Sequence, residues 1–329
     1  MSRSHGVLPA DACSVLSLAV DEPLAGTAPH TRVWIGIEQS GPWGSDALLE
    51  SHLPSGLGVE ISDRFADPTI RTLLLRRPGT HADARQDDPA LHGRTVLVAF
   101  TGIDGLAAPW LVITRCIGDE DLAAAVRGLD PASLLQGIRP GGRWSDSQER
   151  PTLICTNGRR DTCCAISGRL LLDDVVAAVA DTEAPSLVWE CSHPGGHRFA
   201  PTVVLLPSGL VLGRATANDV TQAMEGALPV DALRGRSSLT PAEQSAEIAV
   251  LTMLAADHET SQGSLTVSTS PDPHVVVVRA VDDRTWSVPV REVASGLTRA
   301  VSCGKEAEAM ASWVANAPVT EPIGEDVGP

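Results

Sequence analysis

Short apolar runs alternate with amphipathic stretches along the first part of the chain. Residues 32–37 and 57–61 pattern as strands, and 45–52 between them has helical spacing. Apolar runs follow at 72–75, 95–100 and 110–113. Residues 79–94 are rich in Pro, Gly, Asp, Arg and His without an apolar period, which predicts a solvated loop. Asp130 and Pro131 supply an N-cap and a first-turn proline for a short helix ending near Gly137. Residues 139–150 (RPGGRWSDSQER) have no periodicity and many breakers, so a boundary is expected there.

The next segment patterns as a strand at 152–155, a helix over about 161–180 and a strand at 186–191, a β-α-β unit. Strands at 202–206 and 210–213 are joined by Pro207-Ser208-Gly209 in a tight hairpin, and a helix over 218–227 follows. That element order is the one of a thioredoxin-like fold. The last segment opens with Thr240-Pro241-Ala242-Glu243, a capping box with proline at the first helical position, and Ile248, Leu251 and Ala255 recur on one face. Strands are expected at 265–268, 274–281 and 285–290, a closing helix at 307–314, and a frayed end. No repeat of fixed period is visible. The expected organisation is α/β in three parts. Residues 1–145 form an N-terminal α/β domain, itself a candidate for the thioredoxin-like pattern, 146–235 a thioredoxin-like domain, and 236–329 an α+β segment.

At 329 residues the chain is long enough to bury a core without disulfides, and its length suits two or three domains. The net charge of -16 opposes the counterion release that drives binding to nucleic acid or anionic lipid, so neither partner is expected. Lys305 is the only lysine and Glu306 follows it, which excludes a phosphate-binding G-x-x-x-x-G-K-[ST] loop. The longest uncharged apolar stretches, 13–20 and 248–256, fall short of the ~20 residues of a membrane helix. Asp11 and Asp21 bracket the N-terminal apolar stretch and spoil a secretory signal. A reducing cytoplasm is the expected setting. Seven cysteines, unevenly spread, suit metal ligands or redox thiols better than a disulfide scaffold.

Four of the seven, Cys155, Cys163, Cys164 and Cys191, fall within one β-α-β unit, and His193 and His197 follow directly. Cys155 ends a strand, while Cys163 and Cys164 begin a helix, where the helix dipole favours thiolate. In His193-Pro-Gly-Gly-His197 the glycines free the loop to fold so that both imidazoles converge. Strand ends on one edge of a parallel sheet place the two loops side by side. Thiolate and imidazole together suit zinc or an iron-sulfur cluster. Structural zinc sites usually bring cysteines in as C-x2-4-C, and the C-x8-C from Cys155 to Cys164 is wider, which favours a [2Fe-2S] unit.

These residues resemble the sucrase/ferredoxin-like family, whose middle domain resembles the thioredoxin-like ferredoxins. The resemblance rests on the C-x8-C with Arg160-Asp161 before its second cysteine, and on His193, Gly195, Gly196 and His197 as H-x-G-G-H. Trp43-Gly44 and Ser302-Cys303-Gly304 extend it over most of the chain. It implies a [2Fe-2S] cluster held by Cys155, Cys164, His193 and His197, with residues 146–235 as a thioredoxin-like ferredoxin domain, and an unidentified redox partner protein. Because successive residues at a helix start point about 100° apart, only one of Cys163 and Cys164 should face the cluster, and Cys164 is favoured. Cys191 is a spare ligand candidate, with a buried small hydrophobe the simpler reading. Glycoside hydrolysis is not expected, because no placed carboxylate pair stands out.

Two thiolates and two neutral imidazoles leave an oxidised cluster uncharged where four thiolates leave a dianion, so a potential above that of an all-cysteine cluster is expected, and it should fall as pH rises. Arg159 and Arg160 are candidates for docking an acidic partner, with a solvated turn as the alternative; Asp161 reads as a helix cap, and Trp189 and Phe199 as core or shielding. The His81, Asp83, Asp87, Asp88 and His92 group reads as a solvated face. Cys13, Cys116 and Cys303 have no evident partner and read as structural. The expected function is a one-electron carrier. The rival readings are a structural zinc module and a thiol oxidoreductase, though the latter lacks the usual C-x-x-C pair.

Overall fold

The computed structural model describes residues 7–79, 93–182, 184–255 and 262–320. Helix α1 (Cys13–Ala19) precedes a first unit of β1 (Val33–Glu38), α2 (Ala47–Glu50), α3 (Leu57–Arg64), β2 (Ile70–Arg76), β3 (Arg94–Phe100), β4 (Trp110–Cys116), α4 (Asp119–Arg127), α5 (Pro131–Leu135) and β5 (Ser145–Ser147). A second unit holds β6 (Thr152–Cys155), a π-helical turn (Cys164–Gly168) running into α6 (Arg169–Ala178), β7 (Val188–Cys191), β8 (Thr202–Leu205), β9 (Leu210–Gly213), α7 (Ala217–Met224) and β10 (Leu233–Arg236). Helix α8 (Pro241–Ala255) leads to β11 (Leu265–Thr269), β12 (Val275–Ala280), β13 (Thr285–Ala300), β14 (Ala307–Ala315) and β15 (Val319–Thr320). The chain is α/β. None of its described helices is long and apolar enough to cross a membrane.

One ten-stranded sheet runs β10-β9-β8-β6-β7-β2-β1-β3-β4-β5, and β11 to β15 form a separate five-stranded sheet. Within the large sheet β1 and β2 are parallel, as are β6 and β7, and each first strand also pairs antiparallel with the hairpin that follows. The two units therefore share one wiring, with strand orders β2-β1-β3-β4 and β7-β6-β8-β9. They meet where β2 and β7 pair antiparallel, Leu75 opposite Cys191 and Arg76 opposite Glu190. The repetition is one of topology, without a repeat of fixed period in the sequence. The first strands of both units are short buried runs, but their residues differ: β1 ends in Glu38 where β6 ends in Cys155.

Alternation sorts the strands between two faces. Val33, Ile35, Ile37 and Leu74 face a core with α3 and α4, and Ile154, Val188 and Val203 face one shared by α6, α7 and α8. Trp34, Leu73, Leu75, Leu153, Cys155, Trp189 and Cys191 face the opposite side, in a third core that also takes in Cys13, Cys163 and Cys164. Both foreseen caps form. Asp130 accepts from Ser133 N, and Thr240 and Glu243 bond reciprocally, Thr240 N donating to Glu243 Oε2 at 2.8 Å.

Two expected elements take the other form. Residues 57–61 belong to α3, with Leu57, Gly58 and Ile61 buried and Val59 exposed, because an apolar run this short fits either period and tertiary packing chose the helical one. Residues 307–314 belong to β14 despite helix-favouring Ala, Glu and Met, because β13 runs on to Ala300 and offers a long edge to pair with. Inside the expected linker at 139–150, β5 pairs with β4. Residues 80–92, which include the His81, Asp83, Asp87, Asp88 and His92 group, lie outside the described residues.

A buried ionic knot ties the chain's ends over the second unit. Glu22 accepts from Arg299 Nε at 2.6 Å, from Arg299 Nη2, from Arg198 Nε at 2.9 Å and from Ser17 Oγ at 2.8 Å. Arg214 Nη2 adds a bond to the Glu22 carbonyl at 2.9 Å. This lays α1 and the β13–β14 hairpin against the histidine loop.

Candidate metal centre

Cys155 is the last residue of β6, and the chain leaves it through a turn held by Thr156 Oγ1 donating to Glu190 Oε2 at 2.6 Å and by Arg160 N and Asp161 N donating to the Asn157 carbonyl at 3.2 Å. It re-enters a helix whose π-helical turn, Cys164–Gly168, brings that helix close against the strand end. A Cβ on Gly168 would fall 2.0 Å from the Cys155 carbonyl oxygen, so only glycine permits the approach. The two adjacent cysteines diverge. Cys164 turns inward to Cys155, while Cys163 Sγ lies 3.5 Å from Cys13 Sγ and 3.4 Å from Cys303 Sγ.

The histidine loop follows β7. Ser192 N donates to the Leu74 carbonyl at 2.8 Å, and Ser192 Oγ accepts from Leu74 N at 3.0 Å, which pins the loop's start to β2. Gly195 and Gly196 have φ of 108° and 77°, then His197–Phe199 form a 3-10 turn. The fully buried Arg234 holds the bend. Its Nη1 donates to the Gly195 carbonyl at 2.9 Å, its Nε to Thr27 Oγ1 at 3.1 Å and its Nη2 to the Thr27 carbonyl. Phe199, buried beneath, carries the guanidinium carbons of Arg198, Arg234 and Arg214 at 4.3, 5.1 and 5.5 Å from its ring centroid.

One ring nitrogen of His193 and the sulfurs of Cys155 and Cys164 all lie within 4.8 Å of one another. His197 lies beside His193, its Nδ1 3.2 Å from His193 Nε2. His193 Nδ1 is buried without a hydrogen-bond partner. Cys191 is buried behind this group and is not part of it.

The electrostatics divide the thiols. A hydrogen bond from Cys164, aided by His193 and opposed by burial, brings the Cys155 thiol down to about 5. Its Cys164 partner is pushed up by the same bond and by burial. Burial also pushes Cys191 up. Burial, with His193 beside it, brings His197 down to about 4 against the pull of Asp161, so its ring is neutral at pH 7. The donors are thus one thiolate, one thiol ready to lose its proton to a metal, and a neutral imidazole available for coordination.

Sequence reasoning missed two things. Cys13 and Cys303, expected to lack partners, meet Cys163 and Asp161. Asp161 does cap the helix start as expected, its Oδ1 accepting from Cys163 N at 2.9 Å, but its Oδ2 also accepts from Cys303 N at 2.9 Å. Positions 13 and 303 are so distant in sequence that no local spacing could have signalled the meeting. Arg234 carried no signal either, because its hydrogen-bond partners, Gly195 and Thr27, lie far from it in sequence.

The residues fit a thiolate- and imidazole-bound group. Both donor types converge, and the buried, unpartnered His193 Nδ1 is a nitrogen free to coordinate. Fold and site together define an α/β protein with cysteine and histidine groups able to hold a metal. A family model described as sucrase/ferredoxin-like matches residues 24–233, well over half of the chain, and the chain belongs to the sucrase/ferredoxin-like family. No curated protein and no solved structure matches it.

Proposed function

We propose that the chain is a one-electron carrier whose second unit binds a [2Fe-2S] cluster through Cys155, Cys164, His193 and His197. The convergence of Cys155, Cys164 and His193, with His197 against His193, carries this reading. When bound, such a cluster accepts and releases single electrons. The order β7-β6-β8-β9, with the site at the ends of β6 and β7, supports reading the unit as a thioredoxin-like ferredoxin domain.

The protein's own groups suit the role. Gly168 and the Arg234-braced bend fix the two loops, and apolar Leu153, Trp189 and Val204 pack in the same core as Cys155 and Cys164 and exclude water. His193 is half-buried and forms the outer edge of the site, where an electron has the shortest way to a docked protein. Arg159 and Arg160 are exposed on the adjoining turn and suit a redox partner with an acidic face. The thiols are all unpaired, as a reducing cytoplasm would keep them.

A second reading, a single zinc ion at the same place, is favoured by one observation. Three donors within 4.8 Å of one another form a shell small enough for one ion. Iron, acid-labile sulfide and zinc assays on anaerobically purified protein separate the two. The cluster reading expects two irons and two sulfides lost in Cys155→Ser, and an EPR signal on reduction. Its potential should lie above the roughly -400 mV of all-cysteine plant-type clusters and drop in His193→Cys and His197→Cys. A colourless protein with zinc and no sulfide refutes it.

A further inference from the structure

We propose that Cys13, Cys163, Cys303 and Asp161 form a second, separate metal site, a closed tetrahedral zinc centre that clasps the two ends of the chain to the second unit. Two of these four residues lie outside the stretch that matches the family.

The distances carry the inference. The three sulfurs stand 3.4 Å (Cys163 to Cys303), 3.5 Å (Cys13 to Cys163) and 3.7 Å (Cys13 to Cys303) apart. Asp161 Oδ1 is 3.3 Å from the Cys303 sulfur and 3.7 Å from that of Cys13. A tetrahedral zinc ion, with bonds of about 2.3 Å to sulfur and about 2.1 Å to oxygen, sets edges of roughly 3.8 Å between sulfurs and roughly 3.6 Å between sulfur and oxygen. The five observed edges lie within about 0.4 Å of those values, four of them on the short side, so an ion would spread the group slightly. A disulfide, with its sulfurs about 2.05 Å apart, describes none of the pairs and leaves the third thiol over. A polynuclear cluster spreads its ligands over several irons, and three sulfurs this close suit one ion.

The surroundings are those of a prepared site. Asp161 Oδ1 accepts from Cys163 N and Oδ2 accepts from Cys303 N, both at 2.9 Å, and Ser302 Oγ reaches Oδ2 at 3.0 Å. These bonds orient the carboxylate as outer partners orient metal ligands. Cys13 N points at the Cys303 sulfur at 3.4 Å, a contact that favours thiolate. The Asp161 side chain has no exposed surface. A buried carboxylate among buried sulfurs calls for a cation, and no arginine supplies one in the described contacts. A dication at the centre of the three sulfurs would take them all as thiolates and balance the buried carboxylate.

Four protein ligands leave no open position, so the site is structural. It joins α1, the loop before α6 and the β13–β14 turn, covering the inner histidine with chain drawn from positions 290 residues apart. Its action is to hold that cover shut.

The test is elemental analysis of the full-length protein purified anaerobically without chelators. Cys303→Ser, at the half-buried turn, should lose one equivalent of zinc relative to the wild type and keep its circular dichroism, and Cys13→Ser and Asp161→Asn should do the same. Cys155→Ser should keep this zinc whatever metal the Cys155 site holds, so failure of the cluster reading and failure of this one are distinguishable. Should Cys13→Ser not fold, cobalt(II) loading decides. The visible bands of a tetrahedral three-thiolate cobalt site should appear in the wild type and in Cys155→Ser and weaken in Cys303→Ser. Unchanged zinc and cobalt spectra in Cys303→Ser overturn the proposal. So does a disulfide among Cys13, Cys163 and Cys303 in zinc-free wild-type protein.

Discussion

Gly196→Ala would put a methyl group 2.3 Å from Arg234 Nη2 and 2.6 Å from its Cζ, at a backbone position with φ of 77°. Two costs follow. An L-residue in the left-handed region loses about 1–2 kcal/mol. The guanidinium must also give way, and it is not a loose side-chain end. It is buried and fixed by bonds to Thr27 Oγ1, the Thr27 carbonyl and the Gly195 carbonyl. Breaking one charge-assisted bond of this kind costs about 1.5–3 kcal/mol. Alanine's smaller unfolded-state entropy returns about 0.4–1 kcal/mol. The net expectation is a loss of roughly 3 kcal/mol. Gly105→Ala is the control, because Gly105 has φ of 72° and a Cβ there would meet nothing within 4 Å. It should cost about 1 kcal/mol, from strain less the same entropy. Urea unfolding followed by tryptophan fluorescence measures both variants. If they agree within about 0.5 kcal/mol, the Arg234 brace is not what makes glycine necessary in the histidine loop.

Glu22→Gln should destabilise the protein by about 3 kcal/mol at pH 7, because it leaves Arg198 and the buried Arg299 without their shared carboxylate. Burial alone would raise the Glu22 carboxyl, but the hydrogen bond from Arg299 and the charge of Arg198 prevail and hold it below the ordinary carboxylate value. Its stabilisation is therefore present above the unfolded value of about 4.3 and lost as pH falls through the folded one. Urea midpoints at pH 7 and pH 3 should show the gap between wild type and variant shrinking in acid, and a constant gap refutes the assignment. Cys191→Ala removes a thiol that is fully buried and outside both ligand groups. It should keep the full metal complement at a cost of about 1–2 kcal/mol from the lost packing, and metal loss on elemental analysis would make Cys191 a ligand.

Local signals settled most of what the sequence alone could say. Short apolar runs set β6, β8, β9 and β12, proline with a capping residue set the starts of α5 and α8, and the C-x8-C and H-x-G-G-H spacings pointed to Cys155, Cys164, His193 and His197, of which the structure groups Cys155, Cys164 and His193. These are short-range features, fixed by backbone geometry within a few residues. Three matters were decided only in the folded chain. Whether residues 57–61 and 307–314 became helix or strand depended on which partner surface offered more burial or hydrogen bonding. The direction of each adjacent cysteine depended on the π-helical turn and on Gly168 pressing against Cys155. The meeting of Cys13 with Cys303 depended on Glu22 binding Arg198 and Arg299 across the whole length of the protein. Contacts between residues so far apart leave no period in the sequence, because they are chosen by the closing of three-dimensional surfaces.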